Sequence, residues 1–136
     1  MLGSGTTASQ FEEMAREAFN KSQGTKARKS RVSIGRVAHE FDLYQEGVVV
    51  GGISTSPWTN RTAKRTNNSG GQDRVAAELL WLHLCKSVNR KVLILKEKDM
   101  ADGINHRFGS SGFFDPVVEV WLFDPTDGAV THHSDL

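Results

Sequence analysis

One stretch, residues 39–55, constrains the fold more than any other part of the 136-residue chain. In its first half Phe41 and Leu43 alternate with polar residues, which is the pattern of a half-buried strand. A tight turn follows at residues 45–47, and the unbroken apolar run at 48–50 is typical of a strand covered on both faces. The sequence therefore predicts a hairpin that belongs to a larger sheet, with acids on its first strand and two glycines in its second.

Length and composition describe a folded protein of ordinary size. A chain of 136 residues with 38% hydrophobic and 24% charged residues fits one globular domain. The formal net charge of +1 provides no overall field toward nucleic acid or a membrane. The single cysteine, Cys85, lies in an apolar helical stretch and is expected to be a buried thiol. Because no signal peptide and no long apolar run is visible, we expect a soluble, cytoplasmic protein without a membrane partner.

Periodicity along the rest of the chain predicts alternating helices and strands. A capping box at Ser9 and Glu12 is expected to begin the first helix, and Asp99 is expected to cap the third. The predicted helices cover residues 9–21, 72–87 and 99–108. The predicted strands cover residues 31–44, as one strand or a strand pair, and residues 48–55, 91–95 and 117–123. We expect an α/β fold with one three-layer domain, in which helices flank a mixed sheet in the order α-β-β-β-α-β-α-β.

This domain is expected to span residues 9–130, after a flexible N-terminus at 1–8 and before a polar tail at 131–136. Residues 56–71 form a long polar loop, and loops of this length are usually functional or disordered. This loop either covers a site or contacts a partner, or it is a flexible insertion.

Basic residues are concentrated in two places, before the hairpin and in the long loop. Such cations can contact phosphates, and a tryptophan among them can stack on a base. They can equally form an ordinary solvated surface. The candidate nucleic-acid-binding residues are Lys26, Arg28, Lys29, Arg31, Trp58, Arg61 and Arg65.

Two acids on the first hairpin strand are candidates for metal binding. In a regular strand Glu40 and Asp42 point to the same face, about 7 Å apart. If Phe41 and Leu43 face the core, the two acids face away from it and can share a hard cation such as Mg²⁺. The alternative is a solvated strand face beside a turn. In the second strand, the glycine pair marks either a close approach of another group or tight helix packing.

The order of elements from residue 9 to residue 95 resembles the core of the PD-(D/E)XK nucleases, the restriction-endonuclease-like fold. In that family an aspartate ends one strand and an acid-X-lysine triplet lies on the next. The two acids bind Mg²⁺ and the lysine helps to activate water. Asp42 matches the first position, whereas Gly52-Ile53-Ser54 stands where the triplet is expected.

The family tolerates migration of site residues into the helix after the third strand. The resemblance then implies that Glu78 replaces the missing acid, with Gln72 as a polar contact and Lys64 or Lys86 as the cation. It implies the catalytic set Asp42, Glu78 and Lys64, and an Mg²⁺ or Mn²⁺ site at Asp42, Glu78 and Glu40. Alternatively the site is lost and only the fold survives.

The leading hypothesis is a nucleic-acid-binding protein related to Mg²⁺-dependent nucleases, with DNA or RNA as its partner. It is either a phosphodiesterase with a migrated active site or a catalytically degenerate member. The alternative is a non-catalytic interaction module that forms a homodimer or binds a protein partner through the 56–71 loop. Trp58, Trp81 and Trp121 would then be interface or core anchors. A third possibility is a small-molecule enzyme that uses the glycine bend.

Overall fold

A six-stranded mixed sheet lies at the centre of the structure, a computed structural model that describes residues 5–136. The strands are β1 (Arg28–Ile34), β2 (Val37–Gln45), β3 (Val49–Ser54), β4 (Arg90–Leu95), β5 (Val118–Asp124) and β6 (Ala129–Asp135). The helices are α1 (Ala8–Gln23), α2 (Ser69–Leu84) and α3 (Lys98–Phe108). The strands follow one another in chain order, and β3, β4 and β5 are parallel while the other pairs are antiparallel. The predicted α/β class is confirmed, and β4 lies in the centre of the sheet, parallel to both of its neighbours.

The sheet separates two apolar cores, which gives the domain three layers. Residues on β3 alternate between the cores: Val49 and Ile53 pack on the α1 side, whereas Val50 packs on the side of α2 and α3. In α1 the buried face consists of Phe11, Ala15 and Phe19. Their spacing of four residues aligns them along one side of the helix.

The N-cap of helix α1 lies two residues upstream of its expected position. The cap is Thr7, whose hydroxyl accepts from the backbone N–H of Gln10 at 3.1 Å, while the Gln10 side chain accepts from the Thr7 N–H at 2.9 Å. The prediction of Ser9 as the cap was therefore wrong, because the same type of box occurs two positions upstream. Of the predicted flexible N-terminus, residues 1–4 lie outside the described part of the chain.

The predicted orientation of the β2 side chains needs a correction. Phe41 packs in the core beneath α2, whereas Leu43 packs in the core beneath α1. Between the pairs Arg28–Tyr44 and Ser30–Phe41, β2 contains one residue more than β1. This β-bulge breaks the strict alternation that a regular strand would impose.

The C-terminal residues do not form the polar tail that their composition suggested. Residues 129–135 form β6, which pairs with β5 along its whole length and completes the sheet. Its polar side chains suit an edge strand, which solvent covers on one side. Cys85 is buried, as expected. None of the helices in residues 5–136 is long and apolar enough to cross a membrane.

The loop between β3 and α2 is held against α3. Asp99 accepts from the backbone N–H groups of Trp58 and Thr59, each at 3.2 Å, and pairs with Arg61 at 2.9 Å. The N-cap of α3 is Glu97, so Asp99 anchors the loop instead of capping the helix. These contacts anchor residues 58–61 of the loop to α3.

Candidate functional site: an acidic cleft

A cleft of about 240 Å³ opens beside the carboxyl end of β3. Three different elements bring a carboxylate to its walls: Glu12 comes from α1, Asp42 from β2 and Glu78 from α2. The other lining residues are Ala8, Ile53, Ser54, Thr55, Ser56, Arg74, Val75 and Leu93. The structure therefore places the two acids of the migrated-site hypothesis in one cleft and adds a third.

Asp42 lies where β2 and β3 separate. The pairing of these strands ends at Leu43 and Gly51. The backbone N–H of Ile53, two residues further along β3, therefore has no β2 carbonyl to accept its hydrogen bond. Asp42 supplies the acceptor instead, with its Oδ2 at 2.8 Å from the Ile53 nitrogen. Its own backbone carbonyl accepts from Arg16 of α1 at 3.0 Å. These contacts fix the carboxylate at the opening between the strands.

Glu78 reaches the cleft across Gly52. A Cβ atom on Gly52 would lie 2.8 Å from Glu78 Oε1 and 2.9 Å from Glu78 Cδ, which is too close for any side chain. Gly52 therefore leaves room beside the strand for the Glu78 carboxylate, which a larger residue at this position would displace. Gly52 is also the position at which the resemblance expects the acid of the triplet. The α2 carboxylate thus fills the volume that an acid on β3 would otherwise fill.

His39 and Trp81 fix one side of the Glu78 carboxylate. His39 Nε2 lies 3.0 Å from Glu78 Oε2, and the His39 ring stacks on Trp81 with a centroid distance of 4.4 Å and an angle of 9°. The other oxygen, Oε1, is buried and has no hydrogen-bond partner among residues 5–136. Buried carboxylate oxygens rarely lack a partner, and the exceptions often belong to sites that bind an ion or take part in catalysis.

The carboxyls in the cleft have raised pKa values. Burial raises the pKa of Asp42 to about 7, and the carboxyls of Glu12 and Glu78 add to this effect, although the hydrogen bond from Ile53 opposes it. Burial also raises the pKa of Glu78, while His39 opposes this shift. A positive ion in the cleft would favour the ionised forms of both groups.

Hard oxygen ligands of this kind suit Mg²⁺ or Mn²⁺. Within residues 5–136 no group of three or more His, Cys, Asp or Glu side chains is arranged so that it could hold a metal ion. An ion would therefore depend on Asp42 and the free oxygen of Glu78, with water or phosphate oxygens as further ligands. Two carboxylates with such additional ligands are a common arrangement for Mg²⁺.

The remaining members of the predicted metal and catalytic sets lie elsewhere. Glu40 is exposed and pairs with Lys29 at 3.7 Å instead of lining the cleft. Lys64 is exposed in the long loop, and Lys86 lies past the end of α2 near the buried Lys91. Gln72 is buried, and its side chain donates to the backbone carbonyl of Trp58 at 2.8 Å.

The predicted nucleic-acid-binding residues fall into two groups. Lys26, Arg28, Lys29 and Arg31 lie exposed on or next to the edge strand β1. Lys29 lies 3.5 Å from Glu12, so the β1 group borders the cleft.

The loop group is arranged differently. Arg61 pairs with Glu97 and Asp99, each at 2.9 Å. The loop residue Trp58 is half-buried, and the guanidinium carbon of Arg107, from α3, lies 4.8 Å from the centroid of its ring. Arg65 is exposed in the same loop. Two of these three side chains are therefore already engaged within the fold.

Three residues in or beside the cleft were missed by sequence reasoning. Glu12 was predicted only as the capping-box partner of Ser9, and nothing in a single helix distinguishes it from the acids nearby. His39 was given no role of its own in the predicted hairpin. Arg74 carried a usable signal, because it precedes Glu78 by four residues and such pairs share a helix face. It lies on the rim of the cleft, and no described residue forms an ion pair with it.

Comparisons with known proteins do not assign this chain to a family. No protein-family model matches the sequence, and neither a curated protein nor a solved structure matches it significantly. A relationship to the PD-(D/E)XK nucleases therefore stays a proposal, and its support comes from the geometry of the cleft.

Proposed function

We propose that this chain is a divalent-metal-dependent phosphodiesterase that acts on DNA or RNA, with Asp42 and Glu78 as its metal ligands. The observation that carries the proposal is the packing of Glu78 over Gly52, which places the Glu78 carboxylate, with its unpaired Oε1, in the wall of the cleft that Asp42 also lines. The order of elements from α1 to β4 is the order on which the restriction-endonuclease-like resemblance rests.

The residues around the cleft have complementary roles in this proposal. A bound Mg²⁺ would supply a Lewis acid for a phosphate oxygen. Arg74 on the rim offers a guanidinium to the phosphate and takes the place that the resemblance gives to a lysine. Glu12 lines the same cleft and can accept a proton from the attacking water.

The cations of β1 suit the approach of a nucleic-acid backbone. Arg28, Lys29 and Arg31 are exposed along this edge strand, and Lys29 contacts Glu12 at the mouth of the cleft. A nucleic-acid strand that follows β1 would reach the carboxylates with its phosphates partly neutralised. Binding should then weaken steeply with salt, because each neutralised phosphate releases a counterion.

An acid-relocation experiment tests the catalytic proposal. Labelled single- and double-stranded DNA and RNA would be incubated with the wild type and Mg²⁺ or Mn²⁺, and cleavage products would be resolved on gels. Glu78→Ala should abolish cleavage. Adding Gly52→Asp to Glu78→Ala should restore part of it, because the new carboxylate enters the space that Glu78 vacates.

The matched control is Asp73→Ala, which removes an exposed acid from the same helix, outside the lining of the cleft, and should leave cleavage unchanged. Cleavage that survives Glu78→Ala would contradict the assignment of Glu78 as a ligand. Failure of the wild type to cleave any of the four substrates with either metal would contradict the phosphodiesterase proposal.

A module that self-associates is the second candidate, and the observation that favours it lies outside the 56–71 loop. An apolar groove of about 450 Å³ lies between α2 and the segment after α3, and its rim includes Leu80 and Phe113, which are 53% and 56% exposed. Apolar patches of this kind often mark contacts with proteins. Self-association through this groove predicts a dimer by sedimentation analysis that Leu80→Glu converts to a monomer. A monomeric wild type at all concentrations would contradict self-association.

A further inference from the structure

His39 contacts the candidate metal site without lining the cleft. It lies on β2, three residues before Asp42, and its Nε2 is 3.0 Å from Glu78 Oε2. A carboxylate that binds a metal ion is ionised and can only accept hydrogen bonds, so with Glu78 as a ligand the histidine nitrogen is the donor in this pair. The contact joins β2 to α2 beside the cleft and occupies one of the two Glu78 oxygens.

The His39 ring is itself held from two directions. One face stacks on Trp81 at 4.4 Å, and Phe41 approaches in an edge-on arrangement at 4.8 Å and 78°. Trp81 follows Glu78 by three residues on α2, so both partners of the histidine project from the same side of the helix. With two aromatic neighbours, the ring has little freedom to turn away from Glu78.

We infer that His39 is a positioning residue for the cation site: its donor holds Glu78 Oε2 and thereby fixes the Glu78 carboxylate in the wall of the cleft. This inference rests on the proposed function, because it assumes that Glu78 is a metal ligand. Glu78 has several side-chain torsions, and without a fixed contact its carboxylate would sample positions that do not face Asp42. Partners that orient metal-binding carboxylates typically change metal affinity by about 10- to 100-fold when they are removed.

Two substitutions separate the donor from the aromatic ring. His39→Gln retains a side-chain N–H donor and removes the ring, whereas His39→Phe retains a ring that can stack on Trp81 and removes the donor. The readout is the Kd for Mn²⁺ by isothermal titration calorimetry, with thermal unfolding in metal-free buffer as a separate measure of stability. No nucleic acid is needed.

The inference predicts that His39→Phe weakens Mn²⁺ binding by about 10-fold or more, while His39→Gln stays within about threefold of the wild type. If the His39 ring serves packing alone, His39→Gln should be less stable than His39→Phe, and the Mn²⁺ affinity of both variants should equal that of the wild type. His106→Ala is the matched control, because it removes an exposed histidine on α3 and should change neither measurement.

The outcomes separate the two proposals. If the wild type binds Mn²⁺ and His39→Phe binds it equally well or more tightly, the positioning role is overturned while the metal site stands. If the wild type binds no Mn²⁺, the proposed function fails together with the inference that rests on it.

Discussion

Asp42 and Asp99 both accept hydrogen bonds from backbone N–H groups, but their surroundings differ in charge. Burial acts to raise the pKa of Asp99, yet the hydrogen bonds from Arg61, Trp58 and Thr59 bring it below its usual value. Burial also raises the pKa of Asp42, and there the neighbouring carboxyls increase the shift.

The difference indicates two uses for an acid in one domain. At Asp99 the fold supplies the compensating donors and cation, so the carboxylate anchors the long loop to α3. At Asp42 the fold supplies one backbone donor and two further acids. The folded protein is therefore less stable when Asp42 is ionised. Such a cost is expected where an acid serves binding or catalysis.

Removing the anchoring carboxylate should have the largest effect on stability. Asp99→Ala leaves the Trp58 and Thr59 N–H groups and the Arg61 guanidinium without their acceptor. We expect a loss of about 2–3 kcal/mol in the free energy of unfolding, measured with urea. Asp73→Ala, at an exposed position of α2, should change it by less than about 0.5 kcal/mol. An equally small change for Asp99→Ala would show that the loop is not held by this residue.

Removing the charge of the uncompensated acid should stabilise the chain. Asp42→Asn retains an acceptor for the Ile53 N–H and eliminates the repulsion by the neighbouring acids. At pH 8 without divalent metal, we expect a gain of about 1–2 kcal/mol in the free energy of unfolding. Asp99→Asn is the matched comparison and should be destabilised. A loss of stability in Asp42→Asn would contradict the electrostatic account of the cleft.

Asp42→Asn should also reduce the pH dependence of the free energy of unfolding. The folded chain keeps the Asp42 proton up to a pKa of about 7, whereas the unfolded chain releases it near the ordinary aspartate pKa of 3.8. Between these values the folded state binds more protons, so stability decreases as the pH rises. Urea unfolding at pH 5, 6.5 and 8 in EDTA should show this decrease in the wild type and a flatter profile in Asp42→Asn. Equal slopes would contradict the raised pKa.

The smallest effect on stability is expected from removing Arg61, the exposed partner of Asp99. Arg61→Ala removes the ion pairs with Glu97 and Asp99 but leaves the backbone donors to Asp99 in place. Exposed ion pairs contribute little and are screened by salt. The unfolding midpoint should fall less than in Asp99→Ala, and the difference from the wild type should shrink in 1 M NaCl. If Arg61→Ala lowers the unfolding midpoint as much as Asp99→Ala does, the ion pairs of Arg61, and not the backbone hydrogen bonds to Asp99, hold the loop.

The sequence predicted the fold well because the decisive signals are local. The apolar face of α1, the run in β4 and the turn before β3 depend on residues close together in the chain. The errors fell where a local pattern has two possible meanings. The polar residues of β6 suit both a tail and an edge strand, and the bulge in β2 changes which residues face each core without altering the composition.

The site was less accessible to sequence reasoning because its parts are distant in the chain. Glu12, Asp42 and Glu78 come from three elements, and their proximity depends on how α1 and α2 pack on opposite faces of the sheet. Gly52 and Glu78 were each singled out, but their packing against one another is visible only in three dimensions. His39 was missed for the same reason, since its partner lies 39 positions away.

Calorimetric titration of Mn²⁺ into the wild type at pH 6.5, in two buffers that differ in ionisation enthalpy, tests the cleft as a cation site most directly. The proposal predicts saturable binding of one ion with release of protons, because Asp42 is largely protonated below its pKa of about 7 and must ionise to bind metal. Asp42→Asn should lose both the binding and the proton release, whereas Asp99→Asn should retain them. Absence of binding in the wild type, or binding that Asp42→Asn retains without proton release, would contradict the proposal.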